Sequence, residues 1–150
     1  MENKPLTLKD QLCFPLYVCA KEIVRRYSPC LEPLGLTYTQ YIVMMVLWEK
    51  REITVKNLGT TLYLDSGTLT PLLKKLEAKG FIARRRSRED ERSVIISLTP
   101  QGSALEEAAA PIPEQVSLCV NFPPEEAARL RESLRSLLAM IREDSDGQEP

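Results

Sequence analysis

Histidine is missing from all 150 residues. Its absence removes imidazole acid/base catalysis, the Ser-His and Cys-His nucleophile pairs, and most zinc sites. Long hydrophobic runs are also missing. The longest, YIVMMVLW at 41–48, is far too short to cross a bilayer. The first ten residues, MENKPLTLKD, lack the apolar centre of a signal peptide, so the expected location is the cytoplasm. Four cysteines at positions 13, 19, 30 and 119 show no CxxC spacing, and a reducing compartment argues against a static disulfide framework. No metal site, cofactor or membrane partner is expected. There is no internal repeat and no low-complexity linker.

What is present points to one folded domain over 1–150. Hydrophobic residues make up 43% and charged residues 27%, ordinary values for a globular chain. The net charge of −1 conceals an asymmetry: Lys74 to Arg92 holds eight basic residues against four acidic, whereas 104–150 holds four basic against ten acidic. Positive charge is thus concentrated in one short segment, and the overall balance is a poor guide to partners.

Helix signals dominate. Thr7 and Asp10 offer a cap ahead of Leu8, Leu12, Leu16, Ala20, Ile23 and Val24 at helical spacing, with Pro15 predicting a kink or a late start. Ser28-Pro29 reads as the start of a separate short helix ending at Gly35. Thr37 and Gln40 form a capping-box pattern before the buried-helix candidate YIVMMVLWEK. Thr54 caps VKNLGTTL, the turn YLD follows, and a second helix spans about Ser66 to Lys79, stopped by Gly80. Two strand-like runs, FIARRR and SVIISL, flank the charged tip SREDER. Helix, turn, helix and β-hairpin over about 53–99 predict a winged helix-turn-helix in a mainly α fold with a small β-hairpin (α+β). Thr99-Pro100 starts a further helix that Pro111 and Pro113 interrupt. Pro123-Pro124 opens a long amphipathic helix with Leu130, Leu134, Leu137, Leu138 and Ile141 on one face, and 144–150 reads as a frayed tail.

In a helix-turn-helix the second helix lies in the major groove with its N-terminal residues against base edges. That end reads DSGTLT. Asp65, Ser66, Thr68 and Thr70 are candidate DNA contacts, Gly67 permits close approach, and Lys74 and Lys75 can reach phosphates. The competing reading is a capping sequence beside a solvated lysine face. Arg84, Arg85 and Arg86 on one strand, with Arg88 and Arg92 at the tip, suit phosphates and a narrow minor groove. Asp90, two residues before Arg92, can orient an arginine across the turn.

The stretch YLDSGTLTPLLKKLEAKGFIARRRSREDERSVIISLTPQG resembles the reading head of the MarR family of bacterial repressors, whose Asp-x-Arg wing signature stands here as Asp90-Glu91-Arg92. The run LCFPLYVCAKEIVRRYSPCLEPLGLTYTQYIVMMVLWE resembles the organic-hydroperoxide-sensing (OhrR-type) branch. Together the likeness covers about residues 8–142. It implies a homodimer held by N- and C-terminal dimerisation helices (about 8–35 and 100–143), binding double-stranded DNA at a pseudo-palindromic operator.

Read alone, Cys13 in an apolar stripe suits inert core packing, although a helix start can activate a thiolate and Tyr17, four residues on, can donate to it. The resemblance makes Cys13 the redox-sensing residue of an LCF motif. It makes Tyr27 and Tyr38 the partner subunit's phenols that stabilise its sulfur, and Cys119 the intersubunit resolving cysteine of the two-cysteine subclass. Cys30 remains a competitor for that last role. Cys19 faces away from Cys13, and Pro15 departs from the usual motif. The implied function is a repressor, not an enzyme, that leaves its operator when an organic hydroperoxide oxidises Cys13, and that controls a hydroperoxide-reducing enzyme. Two alternatives stand beside it: a MarR-type regulator of a small phenolic ligand with incidental cysteines, and a thiol peroxidase.

Overall fold

The computed structural model describes residues 6–146, with side chains described to 143. The described chain divides into two compact units that part after Pro113. The first holds α1 (Cys13–Leu31), α2 (Tyr38–Lys50), β1 (Glu52–Thr54), α3 (Val55–Leu62), α4 (Ser66–Ala78), β2 (Ile82–Arg86), β3 (Val94–Leu98) and α5 (Pro100–Ala109). α6 (Ile112–Val120) spans the division, and α7 (Pro124–Asp146) belongs to the second unit. The fold is mainly helical with one small antiparallel sheet.

Pro15 marks a late start. A 3-10 turn at Leu8–Asp10 precedes α1, where the Thr7 hydroxyl bonds the Asp10 carboxylate and caps no backbone group. The helix itself begins at Cys13, so Pro15 is its third residue, where a backbone N–H has no intrahelical partner anyway. The expected helix start at Ser28-Pro29 is not there. α1 runs through Pro29 to Leu31, a 3-10 turn covers Glu32–Leu34, and Gly35 stops it at φ 67°. A proline near a helix's last turn removes one donor, which the surrounding packing tolerates.

The capping signals at Thr37, Thr54, Asp65 and Thr99 are realised. Thr37 and Gln40 form a reciprocal box (3.3 and 3.1 Å) that starts α2. Thr54 accepts the Asn57 N–H, Asp65 that of Thr68, and Thr99 that of Gly102. α2 is buried on nearly every side through Tyr41, Val43, Met44, Val46, Leu47 and Trp48, which makes it the centre of the first unit. Leu58 of α3, Leu69, Leu72, Leu73 and Leu76 of α4, and Ile82 and Ile96 of the sheet complete that core. Lys79 ties its corner by donating to the Gly35 carbonyl and to Gln40 Oε1 (3.1 Å).

The sheet has one strand more than the hairpin read from sequence. Its order is β1-β3-β2, with Ile53 opposite Ile96 and Arg84 opposite Ile96 on the other edge. Pro113 does not simply interrupt: it lies in the first turn of α6, where its missing N–H is harmless. α7 continues to Asp146, three residues into the stretch expected to fray, and 147–150 lie outside the described residues. Among the described residues no helix is long and apolar enough to cross a membrane.

Gly102 is the tightest point. A Cβ there would lie 1.9 Å from the Phe81 carbonyl oxygen, while the Gly102 carbonyl accepts the indole N–H of Trp48 at 3.0 Å. Gly102→Ala must push backbone apart. We expect a loss of about 3 kcal/mol, the upper end for overpacking, in urea unfolding. Fluorescence from the single tryptophan reads the same site.

Candidate DNA-reading head and cysteine site

The exposed end of α4 is built by its cap. Asp65 Oδ1 accepts the Thr68 N–H at 2.7 Å, and this bond holds the Asp65 carboxyl below its ordinary range. With Leu69, Leu72, Leu73 and Leu76 turned into the core, Ser66, Gly67, Thr68, Thr70, Lys74 and Lys75 are left exposed. The Thr70 hydroxyl donates back to the Ser66 carbonyl (2.8 Å), so it reaches solvent as an acceptor. Neither Lys74 nor Lys75 has an ion pair among the described residues.

The wing is pinned at its tip. Ser87 Oγ accepts the N–H groups of Glu89 and Asp90 (3.3 and 3.4 Å), and the Ser87 N–H donates to the Ser93 carbonyl (2.8 Å). Asp90 Oδ1 accepts the backbone N–H of Arg92 at 3.0 Å. The carboxylate therefore shapes the turn through the backbone instead of steering the arginine's guanidinium, because an aspartate two residues upstream naturally closes an Asx turn. Arg88 and Arg92 stay exposed, and Arg86 Nη1 donates to the Glu91 carbonyl at 3.4 Å. Two other arginines are engaged. Arg84 donates to Glu77 through Nε (2.8 Å) and Nη2 (2.7 Å), and Arg85 pairs with Glu52 at 3.2 Å.

The cysteines lie on other elements, Cys13, Cys19 and Cys30 on α1 and Cys119 on α6. Cys13, Cys19 and Cys119 are exposed and Cys30 is half-buried, all as free thiols. Cys13 is the first residue of α1 and so stands at the helix's N-terminal end. Its surroundings are apolar and open: Leu12 and Tyr17 are 65% and 64% exposed, and Phe14 is exposed as well. Within one chain Cys13 is therefore not part of the core. Tyr17 instead carries Lys21 Nζ 5.5 Å from its ring centre. Among the described residues no hydrogen bond joins it to Cys13. Cys119 lies within α6, not in an irregular joining segment.

Tyr27 and Tyr38 meet each other, at 5.0 Å between ring centres, and Tyr41 joins them at 5.8 and 6.5 Å. Burial raises the Tyr27 phenol above its ordinary value, and Tyr38 and Cys30 add to the shift; burial raises Tyr41 as well, with Tyr27 and Tyr38 adding to it. Both phenols keep their protons at neutral pH and can donate. Fourteen residues of α1 separate Tyr27 from Cys13, about 21 Å along a helix axis. One chain cannot bring its own Cys13 to its own Tyr27.

Residues 25–108, more than half of the chain, match the family described as transcriptional regulator SarA/Rot. An organic hydroperoxide resistance transcriptional regulator of Bacillus subtilis is 46% identical over 145 residues, covering 95% of this chain and 99% of that protein. Among solved structures, reduced AbfR bound to DNA is 37% identical with a TM-score of 0.75, covering 89% of this chain and 94% of the other. A mutant MarR of E. coli complexed with operator DNA is 26% identical with a TM-score of 0.74, covering 85% and 93%. The chain belongs to the MarR/SarA family of transcriptional regulators. It is a regulator, not an enzyme, and the winged-helix assignment stands.

Several contacts of this MarR/SarA regulator had no sequence signal strong enough to find them: Tyr41 as third ring of the phenol cluster, the Lys79 corner, and the carboxylate partners of Arg84 and Arg85. Tyr38 and Tyr41 at i, i+3 was the available hint for the first.

The Asp65 cap fixes a pH dependence. Its folded carboxyl is lowered from 3.8, so its contribution is fully present above the unfolded value and is lost as pH falls through the lower folded one. Wild type should be more stable than Asp65→Ala at pH 6, with the gap narrowing below pH 3.8. Denaturant titrations at the two pH values check this.

Proposed function

We propose that this regulator is a dimeric, redox-switched DNA-binding repressor that senses organic hydroperoxides through Cys13. One observation carries the reading: the same chain joins an exposed, helix-starting cysteine in apolar surroundings to a basic reading head with exposed hydroxyls. Ser66, Thr68 and Thr70 at the start of α4 suit base edges and phosphates, with Asp65 and Asp90 shaping the backbone around them. Lys74, Arg86 and Arg92 supply phosphate contacts, and Arg84 stands in the same strand. The comparisons favour this reading, since one relative is named for organic hydroperoxide resistance and AbfR was solved on DNA in reduced and overoxidised forms.

The dimer is what the family resemblance implies, and the reach along α1 agrees with it. Tyr27 is about 21 Å from Cys13 along α1 and Tyr38 packs against it, so these phenols serve the sulfur from a second copy, donating across a two-fold axis. Exposed Leu12, Phe14, Leu130, Leu134 and Met140 supply apolar surface for such an association. In the reaction the Cys13 thiolate attacks the terminal hydroperoxide oxygen. The O–O bond breaks, an alcohol leaves after taking a proton, and Cys13 becomes a sulfenic acid. The Cys119 thiol of the other chain then displaces hydroxide, which leaves as water, forming a disulfide. The TM-score to disulfide-formed AbfR is 0.64, against 0.75 and 0.74 for the two DNA-bound forms. The described chain is thus more similar to the DNA-bound forms of AbfR than to its disulfide form.

An operator selected from random duplexes provides the assay. Wild type should release it after one equivalent of cumene hydroperoxide, while Cys13→Ser should stay bound. Release by Cys13→Ser would make the cysteines incidental and favour a ligand-operated regulator. Cys119→Ser, oxidised without small thiols, should also stay bound. Equal release by that variant would assign resolution to Cys30 or to no cysteine at all.

A further inference from the structure

Arg84 sits among the wing's arginines yet differs from them in place and partner. In β2 the side chains alternate, so Arg84 shares a face with buried Ile82, and its side chain is only 29% exposed. Its Nε and Nη2 both reach one oxygen of Glu77, at 2.8 and 2.7 Å, and Glu77 belongs to α4. That bond lowers the Glu77 carboxyl below its ordinary value, so the carboxylate is ionised at neutral pH. Two of the guanidinium's five N–H donors go to the Glu77 carboxylate, which also neutralises its charge and so weakens its attraction for a phosphate. Arg88 and Arg92, by contrast, have no ion pair among the described residues.

We propose that Arg84 is a positioning residue and not a phosphate contact: with Glu77 it fixes the wing strand to the recognition helix, so that α4 and the wing tip meet DNA in one set geometry. This proposal rests on the DNA-binding reading above. It predicts a sign opposite to simple electrostatics. Removing an acidic charge from a DNA-binding face should tighten binding. If Glu77 anchors Arg84, Glu77→Gln should instead weaken it, on the order of tenfold, the size of coupling between contacting residues.

The test measures operator affinity by fluorescence anisotropy for wild type, Glu77→Gln, Arg84→Glu and the exchanged pair Glu77→Arg/Arg84→Glu. Tryptophan-monitored melting accompanies each. The expected result is weakened Glu77→Gln, strongly weakened Arg84→Glu, and recovery to within a few-fold in the exchanged pair. On an operator trimmed at its outer ends so that the wing has no DNA to contact, Glu77→Gln and wild type should bind alike, which a general loss of stability would not produce. Glu77→Gln binding as tightly as wild type or tighter would overturn the proposal. So would an exchanged pair no better than Arg84→Glu, or a Glu77→Gln defect undiminished on the trimmed duplex. Should wild type itself bind no selected duplex, the DNA-binding reading fails first; any other pattern bears on Arg84 alone.

Discussion

The backbone crossing at Gly102 sets the geometry of the reading head. There α5 starts against the turn that ends α4 and begins β2. Phe81 presents a carbonyl that accepts the Thr99 N–H at 3.2 Å, Thr99 accepts the Gly102 N–H and donates to the Gly80 carbonyl, and Trp48 of α2 reaches the Gly102 carbonyl. Four elements, α2, α4, β2 and α5, converge where no side chain larger than hydrogen fits. Because α4, β2 and α2 are locked at this point, the direction of the recognition helix is decided by the core and not by its exposed residues. The wing inherits the same frame through β2.

A second constraint comes from α1. Its continuity from Cys13 through Pro29 keeps Cys13 and the phenol cluster at opposite ends of one rod. In the proposed dimer that separation becomes the mechanism, since a site completed by two chains is disturbed whenever its chemistry pulls on one of them. A covalent bond formed there can bias a two-state assembly without touching the reading head.

The sequence showed best what is local. Thr37, Thr54, Asp65 and Thr99 each bond a backbone N–H three residues on, so their helix starts could be read from four-residue patterns. What depends on distant partners was not legible. β1 has three residues and exists because β3 pairs with it, which leaves no periodicity to detect. Pro29 looked like a start because Ser-Pro usually is one, and tertiary packing overrode it. Pro113 looked like a break, although a proline in a first turn is compatible with a helix. Cys13 lies in an apolar stripe that reads as core, yet that stripe is uncovered within one chain. Asp90 and Arg84 read as wing residues, whereas the backbone N–H and the carboxylate that they bond leave no local signal.

Oxidation of Cys13 as the cause of operator release is most directly tested by a paired titration. Increasing cumene hydroperoxide is added to the protein–operator complex, and each point is split between anisotropy and peptide mass spectrometry. If Cys13 is the sensor, the fraction of operator released tracks the fraction of Cys13 oxidised and saturates near one equivalent per chain. Operator lost while Cys13 remains a free thiol would contradict that mechanism.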